Sequence, residues 1–142
     1  MNNSKSTEAR PCPFCTPPAG RVIAANALAF AVRDAFPVTP LHTLVIPQRH
    51  VEDFFGLTPE EREACAGLIH DLRRTILAED PAVAGFNIGM NVGEAAGQTI
   101  FHSHIHLIPR RVGDVDNPRG GVRHALPGKG NHKLDVCPFG RE

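Results

Sequence analysis

Residues 102–108 read His-Ser-His-Ile-His-Leu-Ile, which puts three of the chain's eight histidines at every second position of an otherwise apolar run. Imidazole gains little in a core and adds nothing to an exposed strand. Such a row therefore points to chemistry: a metal site, a proton-transfer device or a nucleophile. In extended backbone alternate side chains share a face. His102, His104 and His106 then lie with Ile108, while Phe101, Ser103, Ile105 and Leu107 lie opposite. The histidine face is expected to meet a cavity or solvent and the other to pack on a helix, with Pro109 ending the ladder. One metal for all three is disfavoured by reach. At about 3.3 Å per residue the Cα atoms of His102 and His106 stand roughly 13 Å apart, whereas zinc lies only about 2.0 Å from each ligating nitrogen. Two of the three could share an ion with ligands from elsewhere.

A second cluster is Cys12-Pro13-Phe14-Cys15. In a reducing compartment two cysteines at this spacing serve redox chemistry or a metal. A redox pair wants a helix opening at the second cysteine, but Cys15 is followed by two prolines and a glycine. Metal binding fits better, provided two further ligands exist. The glycine-rich stretch 89–99 is not followed by Gly-Lys-Ser/Thr, so it is not a nucleotide P-loop. Cys65 reads as a small core residue, His70 as solvated, and Cys137 as a free thiol near the end.

The elements that must position these groups are legible in outline. Residues 21–37 read as two short strands around a turn at Ala25-Asn26, and His42–Pro47 as a third, β-branched and closed by proline. Residues 58–79 form the one long helix: Thr58 is the N-cap, Pro59 suits the first position, and Glu61 completes a capping box. Cys65, Leu68, Ile69, Leu72, Ile76 and Leu77 then recur on one face. Residues 85–93 and the histidine run read as further strands. Several strands, one long helix and no strand–helix alternation predict an α+β domain with an antiparallel sheet. The expected organisation is a flexible tail over 1–11, one domain over 12–112 and an extended C-terminal tail over 113–142.

At 142 residues the chain is long enough for one self-sufficient core. Fifteen basic residues balance fifteen acidic ones, which argues against a nucleic-acid polymer as partner. The polar first residues lack the pattern of a secretory signal, and no stretch reaches membrane-span length. A cytoplasmic protein with reduced cysteines is expected.

The His-x-His-x-His run followed by two apolar residues, with "GEAAGQTIFHSHIHLIPR" and "FAVRDAFPVTPLHTLVIPQRH" upstream, resembles the histidine triad superfamily of nucleotide hydrolases and transferases over about residues 12–112. Two positions depart from its pattern: Ser103 stands where an apolar residue is usual, and Leu41 where a glycine commonly precedes the histidine.

The resemblance implies covalent catalysis at an α-phosphorus, by hydrolysis of nucleoside phosphoesters or phosphoramidates such as dinucleoside polyphosphates. His104 would be the nucleophile, with its other ring nitrogen donating to a backbone carbonyl. His106 would hold phosphoryl oxygens, Gln98 the bridging oxygen near the leaving group, Asp34 a ribose hydroxyl, and His42 would be the fourth histidine. Asn91 would line the phosphate site or serve an ordinary turn, and Arg110 is expected to be exposed. Transfer to phosphate or a sugar phosphate is the alternative activity. It is weakened by the third histidine, where uridylyltransferases carry glutamine. A binding module with little turnover is the third possibility. The resemblance also implies a homodimer, and a structural zinc on Cys12, Cys15, His50 and His102 that leaves His104 and His106 for chemistry. Magnesium would enter with a polyphosphate substrate.

Overall fold

The computed structural model describes residues 11–130. The expected tail over 1–11, apart from its last residue, and Cys137 lie outside that range.

Five strands form one antiparallel sheet: β1 (Val22–Ala25), β2 (Ala29–Arg33), β3 (Thr43–Pro47), β4 (Val83–Gly89) and β5 (Ile105–Arg111), in the order β1-β2-β3-β5-β4. The α+β class read from the sequence is what the chain adopts. Asn26 makes the first turn, its side-chain oxygen accepting from the N–H groups of Leu28 and Ala29.

The one long helix, α1 (Pro59–Glu79), begins where its signals lie. The Thr58 hydroxyl accepts from Glu61 N–H and the Glu61 carboxylate accepts from Thr58 N–H. Arg49 forks onto that carboxylate, tying the loop after β3 to the helix start. Cys65, Leu68, Leu72 and Ile76 pack on Ala29, Ala31, Val45 and Leu107 of the sheet. The two alanines let the helix sit close, and their neighbours Phe30 and Val32 point to the opposite face with Leu44 and Ile46. All five residues of β3 are buried, because both of its faces are covered.

Register sets the site. Leu44 lies between Val32 and His106, and Gly89 lies beyond His106, so one cross-strand row runs Val32, Leu44, His106, Gly89. A Cβ at Gly89 would meet nothing, which leaves room beside that imidazole.

Four expectations need correction. The histidine run is not a strand throughout: β5 starts at Ile105, and His102 and His104 lie in the irregular approach to it. Pro109 does not end the ladder but pairs with Phe86 inside β5. The β3 ladder has stopped at Thr43 opposite Leu107, so β5 is locally an edge there, where proline is tolerated. Phe101 is exposed instead of packing on the helix, whereas Ile105 and Leu107 do pack there. Finally, the described part of the C-terminal segment is not extended. A 3-10 turn at Gly121–Ala125 packs against β4.

Leu41 is the only non-glycine residue with positive φ (+70°) among the described ones, at the position where the resemblance marks a glycine as usual. An L side chain there costs about 1–2 kcal/mol, offset by packing of the half-buried leucine on the core. The expected outcome inverts the ordinary ranking. Leu41→Ala keeps the strain and loses the packing. Leu41→Gly loses both, and should melt as the more stable of the two by about 1 kcal/mol. Thermal unfolding of the pair checks this; alanine above glycine would contradict the strain.

Candidate active site and metal centre

The histidine run passes three adjacent imidazoles into three environments, and the fixed donors and acceptors around them set each tautomer. A carbonyl can only accept and a backbone N–H can only donate. His102 is fully buried, with Nε2 2.8 Å from the Pro47 carbonyl. Nε2 therefore carries the proton, and the Nδ1 lone pair points at the sulfurs of Cys12 (3.5 Å) and Cys15 (3.6 Å). The strand pattern put His102 on an open face; it is instead sealed beneath the CPFC turn, beside the cysteines with which the resemblance grouped it.

His104 takes the opposite tautomer. Its Nδ1 lies 2.8 Å from the His102 carbonyl and donates to it, leaving a lone pair on Nε2. The ring lines a cleft of about 540 Å³. Phe14, from between the two cysteines, stands edge-on to it at 5.1 Å between centroids. Phe14 also packs on the apolar sheet face of Phe30, Val32, Leu44 and Ile46. Sequence reasoning overlooked Phe14, although its place between two prospective metal ligands was a signal.

His106, on β5, and His42, the residue before β3, form a chain. The Val38 N–H donates to His42 Nδ1 (3.2 Å), so the proton of a neutral His42 sits on Nε2. That Nε2 lies 2.9 Å from His106 Nδ1, which must accept. His106 therefore carries its own proton on Nε2. Asp34 stands 3.6 Å from His42 Nε2. Burial holds both His42 and His106 below the ordinary histidine value, against an upward pull from the Asp34 carboxylate; nearby histidines lower His106 further. Both are neutral near pH 7, as the hydrogen-bond chain requires.

Asp34, His42, Asn91, His104 and His106 all line the same cleft, with Arg21, Phe36 and Thr99 as neighbours that sequence reasoning did not single out. Gln98 departs from the implied contact. It is buried, its amide N–H groups donate to the carbonyls of Glu52 and Ile100, and its oxygen accepts from Gly93 N–H. All of these partners are backbone, so its amide pins the 93–100 loop instead of facing the cleft. Arg110 is likewise not free: it forks onto Asp114 at 2.8 Å twice and donates to Asn87.

Cys12, Cys15, His50 and His102 bring one ligand atom each to within 4.8 Å of one another. His50 Nδ1 is 3.1 Å from Cys15 Sγ. Two thiols and two imidazole lone pairs make a donor set that could hold a metal, and the Pro47 carbonyl fixes the tautomer of His102 from behind. Ligand separations of 3.1–3.6 Å fit a tetrahedral ion with metal–sulfur bonds of about 2.3 Å and metal–nitrogen bonds of about 2.0 Å.

A family model described as HIT domain matches residues 18–113. An uncharacterized HIT-like protein of Saccharolobus solfataricus is 35% identical over 111 residues, covering 74% of this chain and 78% of that protein. An AP-4-A phosphorylase of Mycobacterium tuberculosis is 31% identical over 118 residues, 80% of this chain but 60% of its own length. Among solved structures, a Zn-bound histidine triad family protein from Mycobacterium smegmatis superposes with a TM-score of 0.66 at 34% identity, covering 73% of this chain and 78% of that one. Among the described residues no helix is long and apolar enough to cross a membrane. The matched residues include β1 to β5 and the whole His-x-His-x-His run, and the chain belongs to the HIT domain family.

Proposed function

We propose that this protein hydrolyses nucleoside phosphoesters or phosphoramidates at the α-phosphorus through a nucleotidyl-histidine intermediate. One observation carries the reading. The His104 imidazole lines the cleft, and its Nδ1 proton is committed to the His102 carbonyl, so Nε2 keeps a lone pair for attack.

In the first step His104 Nε2 forms a bond to phosphorus while the bond to the leaving group breaks and its electron pair departs with that group, an amine taking a proton from solvent as it leaves. The His106 Nε2–H, fixed by the chain through His42 to the Val38 amide, donates to a non-bridging phosphoryl oxygen as charge builds there. In the second step water adds to phosphorus, the P–N bond breaks with its pair returning to Nε2, and the water proton passes to solvent. Splitting one hard displacement into two easier ones is the gain of covalent catalysis. Asp34 takes the ribose hydroxyls, and Asn91 stands at the phosphate. Gln98 acts here as a positioning residue for the loop that carries Thr99.

The same intermediate could be resolved by inorganic phosphate instead of water. The AP-4-A phosphorylase of M. tuberculosis favours that second reading, and product analysis with and without phosphate separates the two. A screen of adenylated amines, diadenosine polyphosphates and nucleotide sugars tests the proposal itself, with release of a nucleoside monophosphate expected from at least one class. No release from any of them would overturn it.

Zinc on Cys12, Cys15, His50 and His102 belongs to this reading as a structural ion. Four protein ligands close its coordination, and its work is to clamp the CPFC turn and the His102 backbone that orients His104. The Zn-bound relative from M. smegmatis supports that choice of ion. Magnesium has a place only as counter-ion of a polyphosphate substrate. A homodimer is also proposed, supported by β4 standing at the end of the sheet with no further strand paired to it among the described residues.

A pH prediction follows from the His42–His106 chain. Protonation of His106 on Nδ1 removes the acceptor for His42, and burial opposes that event. Turnover should hold down to the ordinary histidine value of about 6.5 and fall below it. Because the Asp34 carboxylate favours the protonated forms of both histidines, Asp34→Asn should move the acid limb of kcat/KM to lower pH. A limb that stays put or moves up contradicts the chain.

A further inference from the structure

One hydrogen bond does not fix an imidazole. The bond from His104 Nδ1–H to the His102 carbonyl (2.8 Å) holds one corner of the ring, which can still swivel about that line. Strand pairing gives no further support, because β5 starts only at Ile105. His106, by contrast, is held at Nδ1 by His42, itself held by the Val38 amide. What remains for His104 is packing, and two rings supply it. Phe14 meets it T-shaped at 5.1 Å between centroids, and His106 meets it at 5.3 Å with the planes 64° apart.

Of these two rings Phe14 comes from outside the histidine run, and its own place is fixed. The Cys15 N–H donates to the Cys12 carbonyl at 3.3 Å, which closes the turn that carries Phe14. Pro13 locks the backbone immediately before it. The sulfurs on either side lie 3.5 and 3.6 Å from His102 Nδ1. The Phe14 ring itself packs on the apolar sheet face of Phe30, Val32, Leu44 and Ile46, and meets the His102 ring T-shaped at 6.0 Å.

We infer that Phe14 is a positioning residue for His104: its ring is the wall that holds the imidazole in the plane from which Nε2 addresses the cleft. The catalytic consequence rests on the reading of His104 as nucleophile. Attack on phosphorus needs the lone pair in line with the departing bond, and a small misplacement there can cost about 10²-fold in rate. An aromatic ring is flat and stiff, and pairs with another ring in this T-shaped way. Leucine fills much of the same volume without offering a flat wall. Phe14 takes no part in the chemistry itself; without it the lone pair spends most of its time off line.

The test uses zinc-loaded Phe14→Ala and Phe14→Leu, the second keeping apolar packing on the sheet so that the fold is preserved. In single-turnover mixing with an adenylated amine, both are expected to form the nucleotidyl-histidine about tenfold or more slowly than wild type, with the Kd for AMP close to wild type. In protein carrying ¹³C-labelled histidine, relaxation of the ring carbons should show His104 more mobile in both variants and His106, held by its chain to His42, unchanged. Wild-type rates in both variants overturn the inference. So does weaker AMP binding with the rate kept, which would make Phe14 a nucleotide contact only. Equal loosening of His104 and His106, or loss of zinc from the variants, would assign the effect to the fold or the turn and overturn it as well. If wild-type protein forms no adduct from any adenylated amine, the nucleophile reading fails by itself. The relaxation measurement needs no substrate, and a His104 ring as ordered in Phe14→Ala as in wild type overturns the wall in either case.

Discussion

His104→Ala is expected to lower turnover by a factor on the order of 10⁴ or more while leaving nucleotide affinity within a few-fold of wild type. The reason is geometric. Of the imidazoles at the cleft, His104 combines a committed Nδ1 proton with a free Nε2 lone pair. His106 and His42 each spend a nitrogen lone pair on a hydrogen bond within the protein. Neither can substitute as nucleophile without giving up that bond, so no rescue from within the site is expected. The contrast with His106→Gln sharpens the assignment. Glutamine can still donate to a phosphoryl oxygen, so this variant should retain more activity than His104→Ala. Comparable loss in both would take the nucleophile away from position 104. Undiminished turnover in His104→Ala, with binding kept, would leave only a binding module.

Removing the metal is expected to have the second-largest effect. At a free zinc concentration 1,000-fold above Kd, binding stabilises the folded state by about 4 kcal/mol. In a domain of this size each kcal/mol moves Tm by roughly 3–5 °C, so chelation or Cys15→Ser should lower it by more than about 10 °C. Activity should fall too, and through identifiable atoms. His102 would offer Nδ1 to the ion while its own carbonyl holds His104, so freeing the ring would loosen the acceptor that orients His104. Protein purified without chelator should carry one zinc per chain. Folded, active protein without zinc, or a Cys15→Ser variant that melts with wild type, would remove the ion from the account.

How far the sequence foretold these arrangements depended on the range of the interactions. Helix α1 was legible to the residue at its start, because Thr58, Pro59 and Glu61 satisfy one another within four positions. The antiparallel sheet followed from strand patterns of similar local range. The family pattern pointed to His104 and His106 by spacing alone. The start of β5 was not legible, since His102 leaves the strand pattern to reach sulfurs 87 and 90 positions away. Gln98 looked like a substrate contact because its spacing to the histidines fits one. Nothing local announces that the Gly93 amide and two carbonyls consume its side chain. The tautomers of His42 and His106 depend on a single loop amide, that of Val38, whose orientation no residue type encodes. The C-terminal segment read as extended because glycine and proline dominate it. Those glycines are instead the places where the chain turns back onto β4 and lets His124 close the loop.

The central claim is that phosphorus becomes bonded to the imidazole at position 104, and it can be tested on that residue directly. Wild-type protein mixed with an adenylated amine, quenched in alkali within the first turnover and digested, should yield the peptide carrying residues 102–110 with one AMP attached by an acid-labile bond. Fragmentation should place that AMP on His104. Turnover without any such adduct, or an adduct on His42 or His106, would contradict the account.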